Sequence, residues 1–302
     1  MGAFDGVHAG HQRVLAELGA FARDLGARPR VVTFDRHPLE VLIGRAPLQI
    51  LSLEHKLLHF ARAGVAETLV LSFDREMSLW PAEEFVKRVV IDSLRARGLL
   101  MGFDSALGHK RQGTFESLSS RSTELGIEIR QAGIERIEGD RVSSSLVRDT
   151  LQAGDLDRLR LLLARRFSLF GCVREGEGRG RRIGVPTANV DVGRAGLPPL
   201  GVYFAEVSRL GRSFDEILAA PGEVSGAPAV VNIGLRPTFK DPNASAPVVE
   251  AHILDWEGSL YGEHLEVHLL KRHRREQKFS SAEELVAQIH RDIEACRAYA
   301  RP

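Results

Sequence analysis

Gly2-Ala3-Phe4-Asp5-Gly6-Val7-His8-Ala9-Gly10-His11 sets glycines, an acid and two histidines ahead of Val14, Leu15, Leu18, Phe21, Ala22 and Leu25, which recur at helical spacing. His8 and His11 stand three residues apart where that helix begins. Both imidazoles can therefore face one side, while the first-turn amide N–H groups lack intrahelical partners. Those N–H groups, the positive end of the helix dipole and imidazole donors together suit an anion, and a phosphate above all. Gly10 lets a large ligand approach the backbone. Taken alone, the two histidines also fit a solvated helix start or half of a metal site. The metal alternative lacks the glutamate and the spacing of a His-Glu-x-x-His zinc helix.

The 302 residues suggest two domains, each able to bury its own core. Lys and Arg number 41 against 40 Asp and Glu, a formal charge of +1, so no global field draws the chain to nucleic acid or to a membrane surface. Cys172 and Cys296 lie far apart and form no Cys-x-x-Cys pattern, which fits a reducing cytoplasmic setting. No apolar run approaches the roughly 20 residues of a membrane helix, and no signal-peptide pattern is present. The expectation is a soluble cytoplasmic protein with no nucleic acid, membrane or obligate protein partner.

After the first helix, Arg30 to Phe34 reads as a buried strand, Leu53 to Ala63 as a helix, Thr68 to Phe73 as a strand, Ala82 to Arg97 as a helix opened by Pro81, and Leu99 to Gly102 as a strand. This alternation predicts a mostly parallel sheet with helices on both faces. Ligands of such sheets bind beyond the carboxyl ends of the strands, where Thr33, Asp35, His37 and the Asp104 loop fall. From Phe167 onward the pattern changes to short strands, Leu169 to Val173, Gly201 to Val207, Ala229 to Ile233, Val248 to Leu254 and Leu265 to Leu270, with Gly/Pro turns between them. That predicts an antiparallel barrel. A final helix has Ser280 and Glu283 at capping-box spacing and an apolar stripe of Leu285, Val286, Ile289, Ile293 and Cys296. The boundary is placed at Ala164, giving domains 1–164 and 165–302.

Three further stretches offer chemistry. Val142-Ser143-Ser144-Ser145-Leu146-Val147-Arg148 puts hydroxyls at a helix start with Arg148 on the face of Ser145; the hydroxyls can cap the helix and the arginine fork can take phosphate. Gly176, Gly178 and Gly180, with arginines between and after them, lead to Gly184-Val185-Pro186-Thr187-Ala188-Asn189, read as a turn. Such a loop suits phosphates or serves as a flexible basic linker; it is neither a Walker A loop nor a Rossmann fingerprint. In Val248 to Leu254, alternation puts Glu250 and His252 on the face opposite Val249, Ala251 and Ile253, most simply a solvated face.

The opening motif resembles that of the nucleotidyltransferase half of bacterial bifunctional riboflavin kinase/FAD synthetases. Thr33-Phe34-Asp35-Arg36-His37-Pro38 is similar to the family's Thr-Phe-Asp-Pro-His-Pro, and Ser143 to Arg148 to its Ile-Ser-Ser-Thr-x-x-Arg. Gly102 to Gly108 matches less well, with Ser105 and Leu107 where aromatics are usual. Gly-x-Pro-Thr-Ala-Asn and Asn232-Ile233-Gly234-Leu235-Arg236-Pro237-Thr238-Phe239 resemble riboflavin kinase segments, as do Arg275, Glu276, Lys278 and Phe279.

The resemblance implies a Rossmann-like nucleotidyltransferase domain followed by a small β-barrel kinase domain with a C-terminal helix. It implies phosphorylation of riboflavin to FMN and adenylylation of FMN to FAD with ATP and Mg²⁺. ATP is then held in the first half by Gly2, Phe4, Asp5, Gly6, His8, Gly10, His11, Ser144, Ser145 and Arg148, with His8 and His11 catalytic. Flavin there meets Phe34, His37 and Asp104. In the second half Gly176, Gly178 and Gly180 receive ATP, Thr187 and Asn189 contact Mg²⁺ and phosphate, Glu250 is the base, and Arg236, Arg275 and Phe279 face flavin. In that fold a buried strand precedes the glycine-rich motif, whereas here the motif begins at Met1, so the sheet is expected to lack a strand. Two rivals follow: a riboflavin kinase with an inactive first half, or a first half that only binds nucleotide or flavin.

Overall fold

The computed structural model describes residues 1–300 apart from 177, 179, 181–182, 223–224 and 238–244, and only the backbone of 236, 237, 245 and 246. The chain forms two compact units, Met1–Gln49 with Lys56–Ser144, and Ile50–His55 with Ser145–Pro302.

The first unit contains helix α1 (Ala9–Asp24), strand β1 (Arg30–Phe34), helix α2 (Pro38–Ile43), most of helix α3 (Leu53–Arg62) and strand β2 (Glu67–Leu71). Helix α4 (Ala82–Phe85) continues as a π-helix over Val86–Ser93, ending short of the expected Arg97. Then come β3 (Gly98–Met101), α5 (Phe115–Ser119), α6 (Ser122–Leu125), β4 (Glu128–Gln131) and a small hairpin of β5 (Arg136–Ile137) and β6 (Asp140–Arg141). The β-branched run of β1 is buried from Val31 to Phe34, as a strand covered on both faces must be. The apolar stripe of α1 packs Phe21, with Val14, Leu18 and Leu25, against Leu100 and Ala132. A second core joins Val32 of β1 to Leu99 and Met101 of β3 through Phe85, Val86 and Val89.

The sheet is parallel, as expected, but it is not continuous. β1 pairs only with β2, and β3 only with β4, in parallel register. Among the described residues no strand bridges β1 and β3. The amide of Gly2 donates to Val32 O at 3.0 Å, so the chain enters beside the middle of β1. Below that point a cavity of about 310 Å³ is lined by Met1, Val31 and Val32 on one side and Gly98, Leu99 and Leu100 on the other.

The second unit contains α7 from Ser145 onward (helix Ser144–Ala153), α8 (Leu156–Leu163) and six strands, β7 (Ser168–Arg174), β8 (Ala188–Asp191), β9 (Gly201–Gly211), β10 (Ala227–Pro237), β11 (Ser245–Ile253) and β12 (His264–Arg274). They close an antiparallel barrel in the order β10-β11-β8-β7-β12-β9, which leaves no unpaired sheet edge. Leu169, Tyr203, Val231, Ile233 and Val267 are fully enclosed. Strand β8 corrects the turn read at Ala188 and Asn189: four residues suffice because neighbours on both sides, β11 and β7, supply its hydrogen bonds.

Helices α9 (Phe214–Ala219) and α10 (Ala282–Ala300) complete the unit. The cap of α10 lies one residue later than the 280/283 spacing suggested: Glu284 N donates to Ser281 Oγ at 3.2 Å, and the Glu284 carboxylate accepts from Ser280 N and Oγ. Cys296 and Ile293 of the expected stripe reach Phe204, Val230 and Leu254. Beside them Asp292 is buried, its carboxylate accepting from Arg274 Nε at 3.0 Å and Nη2 at 2.7 Å and from Gln288 at 2.8 Å.

Candidate functional site

In the first unit the glycine-rich loop makes a tight reversal before α1. Gly6 has φ of +87°, and Phe4 and Val7 take positive φ although both carry side chains. Such backbone costs on the order of 1–3 kcal/mol per residue and persists only where surroundings over-determine it. Those surroundings are explicit. Phe4 is buried edge-on to Phe60 of α3, with ring centroids 5.2 Å apart, and the Ser144 hydroxyl donates to Asp5 O at 2.8 Å. Ser144, read from sequence as a helix-capping hydroxyl and a phosphate contact, here anchors the glycine-rich loop.

His8 is the N-cap of α1, and its Nδ1 accepts from His11 N at 3.3 Å. With Nδ1 accepting from the backbone, Nε2 is the ring nitrogen left to face a ligand. The His8 and His11 rings stack at 3.7 Å and 17°, which brings the two together on one side of the helix start. Gly10 leaves room for that arrangement, since a Cβ there would lie 3.3 Å from the His8 ring and would push it by a few tenths of an ångström. No acidic side chain occupies the first turn, leaving this end of α1 electropositive.

Around the carboxyl end of β1, Phe34 is buried edge-on to Phe73, and Asp35 accepts from Ser72 Oγ at 2.8 Å. His37 caps α2, accepting from Leu39 N at 3.2 Å. Asp104 is exposed and ion-paired with Arg141 at 2.6 Å. Its neighbour Phe103 is half exposed under the Arg141 guanidinium, an aromatic surface in a loop that lacks the usual aromatics at 105 and 107. Ser145 and Arg148 follow on α7 and belong to the second unit.

In the barrel, register does what sequence spacing could not. Glu250 of β11 pairs on one side with Asn189 of β8 and on the other with Asn232 of β10. The three side chains form a row across adjacent strands, outside the barrel, since Val231, Ile233, Val249 and Ala251 fill the interior. The glycine loop comes up against this row. A Cβ on Gly176 would overlap the Asn189 amide at 2.2 Å, and one on Gly180 would lie 3.2 Å from Thr187 Oγ1. Gly180 also receives Ile183 N and Val185 N on its carbonyl, which folds the loop back toward Pro186. His252, two residues along the same face, bonds the Pro186 carbonyl at 2.8 Å.

Asn232 and Glu276 were quoted at the sequence level but given no role. The structure puts Glu276 Oε1 2.4 Å from where a Cβ of Gly234 would stand, with Asn232 Nδ2 beside it. The bareness of Gly234 is thus what admits a second carboxylate, a signal visible only once β10 is registered. Arg275 is exposed and Phe279 half-buried in the segment after β12. Gly178 stands open at the loop tip with φ of +65°, and the Arg236 side chain lies outside the described residues. The oxygens of Thr187 and Asn189, in a cradle that a Cβ would fill, are of the hard kind that Mg²⁺ takes.

A stacked-histidine helix start at the carboxyl end of a parallel pair, and an amide–carboxylate row under a glycine loop on the barrel, are two places whose donors and acceptors suit phosphate, one in each unit. Comparison with known proteins narrows that reading. Residues 1–146 match the FAD synthetase family and residues 163–300 the riboflavin kinase family. The chain is 36% identical to the bifunctional riboflavin kinase/FMN adenylyltransferase of Pseudomonas fluorescens over 100% of its length and 92% of that protein's. It is likewise 36% identical to that of Escherichia coli K12, over 99% and 91%. The chain belongs to the bifunctional riboflavin kinase/FMN adenylyltransferase family. A crystal structure described as a macrolide-efflux protein from Streptococcus pneumoniae shares the fold, with a TM-score of 0.79 and 28% identity over 98% of this chain and 92% of that one. Among the described residues no helix is long and apolar enough to cross a membrane.

Proposed function

We propose that the chain phosphorylates riboflavin to FMN on the barrel and adenylylates FMN to FAD in the α/β half, with residues 165–302 and 1–164 as the respective domains. The observation that carries the reading is the Asn189–Glu250–Asn232 row beneath the glycine loop. Glu250 takes the proton of the riboflavin 5′-hydroxyl as that oxygen bonds to the γ-phosphorus of ATP and the bond to ADP breaks. Thr187 and Asn189 are the residues that would hold Mg²⁺, which offsets phosphate charge when bound. Gly176, Gly178 and Gly180 let the loop backbone approach the phosphates, while Arg236, Arg275 and Phe279 face the flavin.

In the other half a phosphate oxygen of FMN bonds to the α-phosphorus of ATP and pyrophosphate leaves. Charge developing on the transferred group is met by His8, by His11 and by the N-terminus of α1. Gly2, Phe4, Asp5, Gly6 and Gly10 shape that loop, and Ser144, Ser145 and Arg148 bind phosphate. Phe34, His37 and Asp104 lie toward the flavin.

One observation favours a narrower reading. β1 and β3 are not paired with one another among the described residues; where that division deprives the glycine-rich loop of its footing, the chain is a riboflavin kinase alone. Chromatography of products after incubation with ATP and Mg²⁺, once with riboflavin and once with FMN, separates the readings. FAD from both substrates supports two activities, and FMN as the sole product supports the kinase alone. No flavin product at all overturns both.

A further inference from the structure

Lys56 has no part in the reading above, yet it touches both loops of the first unit's site. It lies on α3 with 6% of its surface exposed. Its Nζ donates to Ala3 O at 3.1 Å and to Phe34 O at 3.2 Å. Ala3 precedes the two strained residues Phe4 and Val7, and Phe34 is the last residue of β1 before Asp35 and His37. Four residues further along the same face of α3, Phe60 packs against Phe4. Thr33 Oγ1 also reaches Ala3 O, at 3.4 Å, so that one carbonyl receives two donors.

A lysine in an amphipathic helix ordinarily extends its ammonium into water. Burial costs this one dearly, pulling it down to about 8, and the charges of Asp5 and Asp35 offset only part of that cost. Gly2 N to Val32 O is a backbone bond between segment 2–4 and β1, and the ammonium adds a bridge between the carbonyls of Ala3 and Phe34.

We propose that Lys56 is a positioning residue for adenylyl transfer: its ammonium ties the glycine-rich loop to the end of β1 and so sets His8 and His11 against the loop of Asp35 and His37. The proposal rests on the assignment of FMN adenylylation to this half. Its physical content is register. A displacement of about 1 Å in groups that must meet a transferring phosphoryl costs about a hundredfold in rate, and an unpinned loop with residues at positive φ relaxes toward ordinary backbone.

The test compares wild type, Lys56→Met and Lys56→Arg in the full chain, with two readouts. In the first, FAD formation from FMN and ATP is measured beside FMN formation from riboflavin in the same preparations. The expected result for Lys56→Met is a fall of about a hundredfold in kcat for adenylylation with KM for ATP moved less than threefold, kinase rates within twofold of wild type, and at least a tenfold recovery in Lys56→Arg. The second readout is amide hydrogen exchange of residues 2–8 without ligand, expected to quicken at least tenfold in Lys56→Met while β2 and β4 stay protected. Adenylylation within threefold of wild type, or unchanged exchange at the loop, overturns the proposal. If wild type makes no FAD, the functional assignment fails by itself and exchange alone decides whether Lys56 pins the loop. If Lys56→Met loses protection throughout the unit, Lys56→Arg and the milder Lys56→Gln carry the same comparison.

Discussion

Glu250 shows how much a single carboxylate depends on its neighbours for meaning. Alternation along β11 places it outward, where a glutamate is usually only solvated; the amides of Asn189 and Asn232 on the flanking strands make it part of a site. Removing a general base costs typically 10²–10⁴ in rate, so Glu250→Gln is expected to lower riboflavin phosphorylation by that order while leaving FAD formation from supplied FMN within twofold. His11→Ala is expected to do the reverse. Rates for the two substrates, assayed separately, check both. Lys56 permits a stability prediction at the same scale. Its ammonium falls from 10.5 to about 8 on burial, so between those pH values the unfolded chain holds the extra proton. Unfolding free energy therefore rises with pH through that window and the burial cost persists below it. Urea titrations at pH 7.5 and 9.5 should show wild type gaining relative to Lys56→Met; an equal change in both would remove the buried charge from the account.

At the scale of elements, the barrel strands were legible because inward residues alternate with outward ones, and α1 was legible because its stripe repeats at helical period. What escaped has physical reasons. Strand β8 is four residues long and follows a Gly/Pro-rich loop, so its local composition says turn, and only pairing on both sides makes it a strand. Asp292 sits among helix residues that read as a solvated face, and its burial depends on Arg274 arriving from β12. His273 adds a third contact at 3.3 Å, and Arg274 carries its guanidinium only partly exposed. Taking one partner from such a pair leaves the other charge stranded at about 3–5 kcal/mol. Asp292→Ala is accordingly expected to lower the unfolding free energy of the barrel unit by that amount, seen as a shift in denaturation midpoint without a change in slope. Gly176→Ala tests the loop in a milder way. Its methyl has no room beside the Asn189 amide, so kinase activity should drop at least tenfold while the melting temperature holds, and full activity would show that the loop does not need to lie where it does.

Across the whole molecule the two halves differ in how completely their folds satisfy themselves. The barrel closes, and every strand in it has two neighbours. The α/β unit leaves the facing edges of β1 and β3 without a strand between them among the described residues, and lines the gap with Val31, Val32, Leu99 and Leu100. Buried edges of that kind are costly, because backbone N–H and C=O groups that find neither partner nor water lose about 1–3 kcal/mol each. Filling the cavity between those edges, about 310 Å³ and lined by Val31, tests what the gap costs. Val31→Ile is expected to raise the melting temperature of this unit and to slow amide exchange at residues 30–32 and 98–100, with the kinase rate unchanged, because added apolar volume in an open cavity stabilises. An unchanged or lowered melting temperature would show that the two strand pairs are self-sufficient and that the cavity does not weaken the unit.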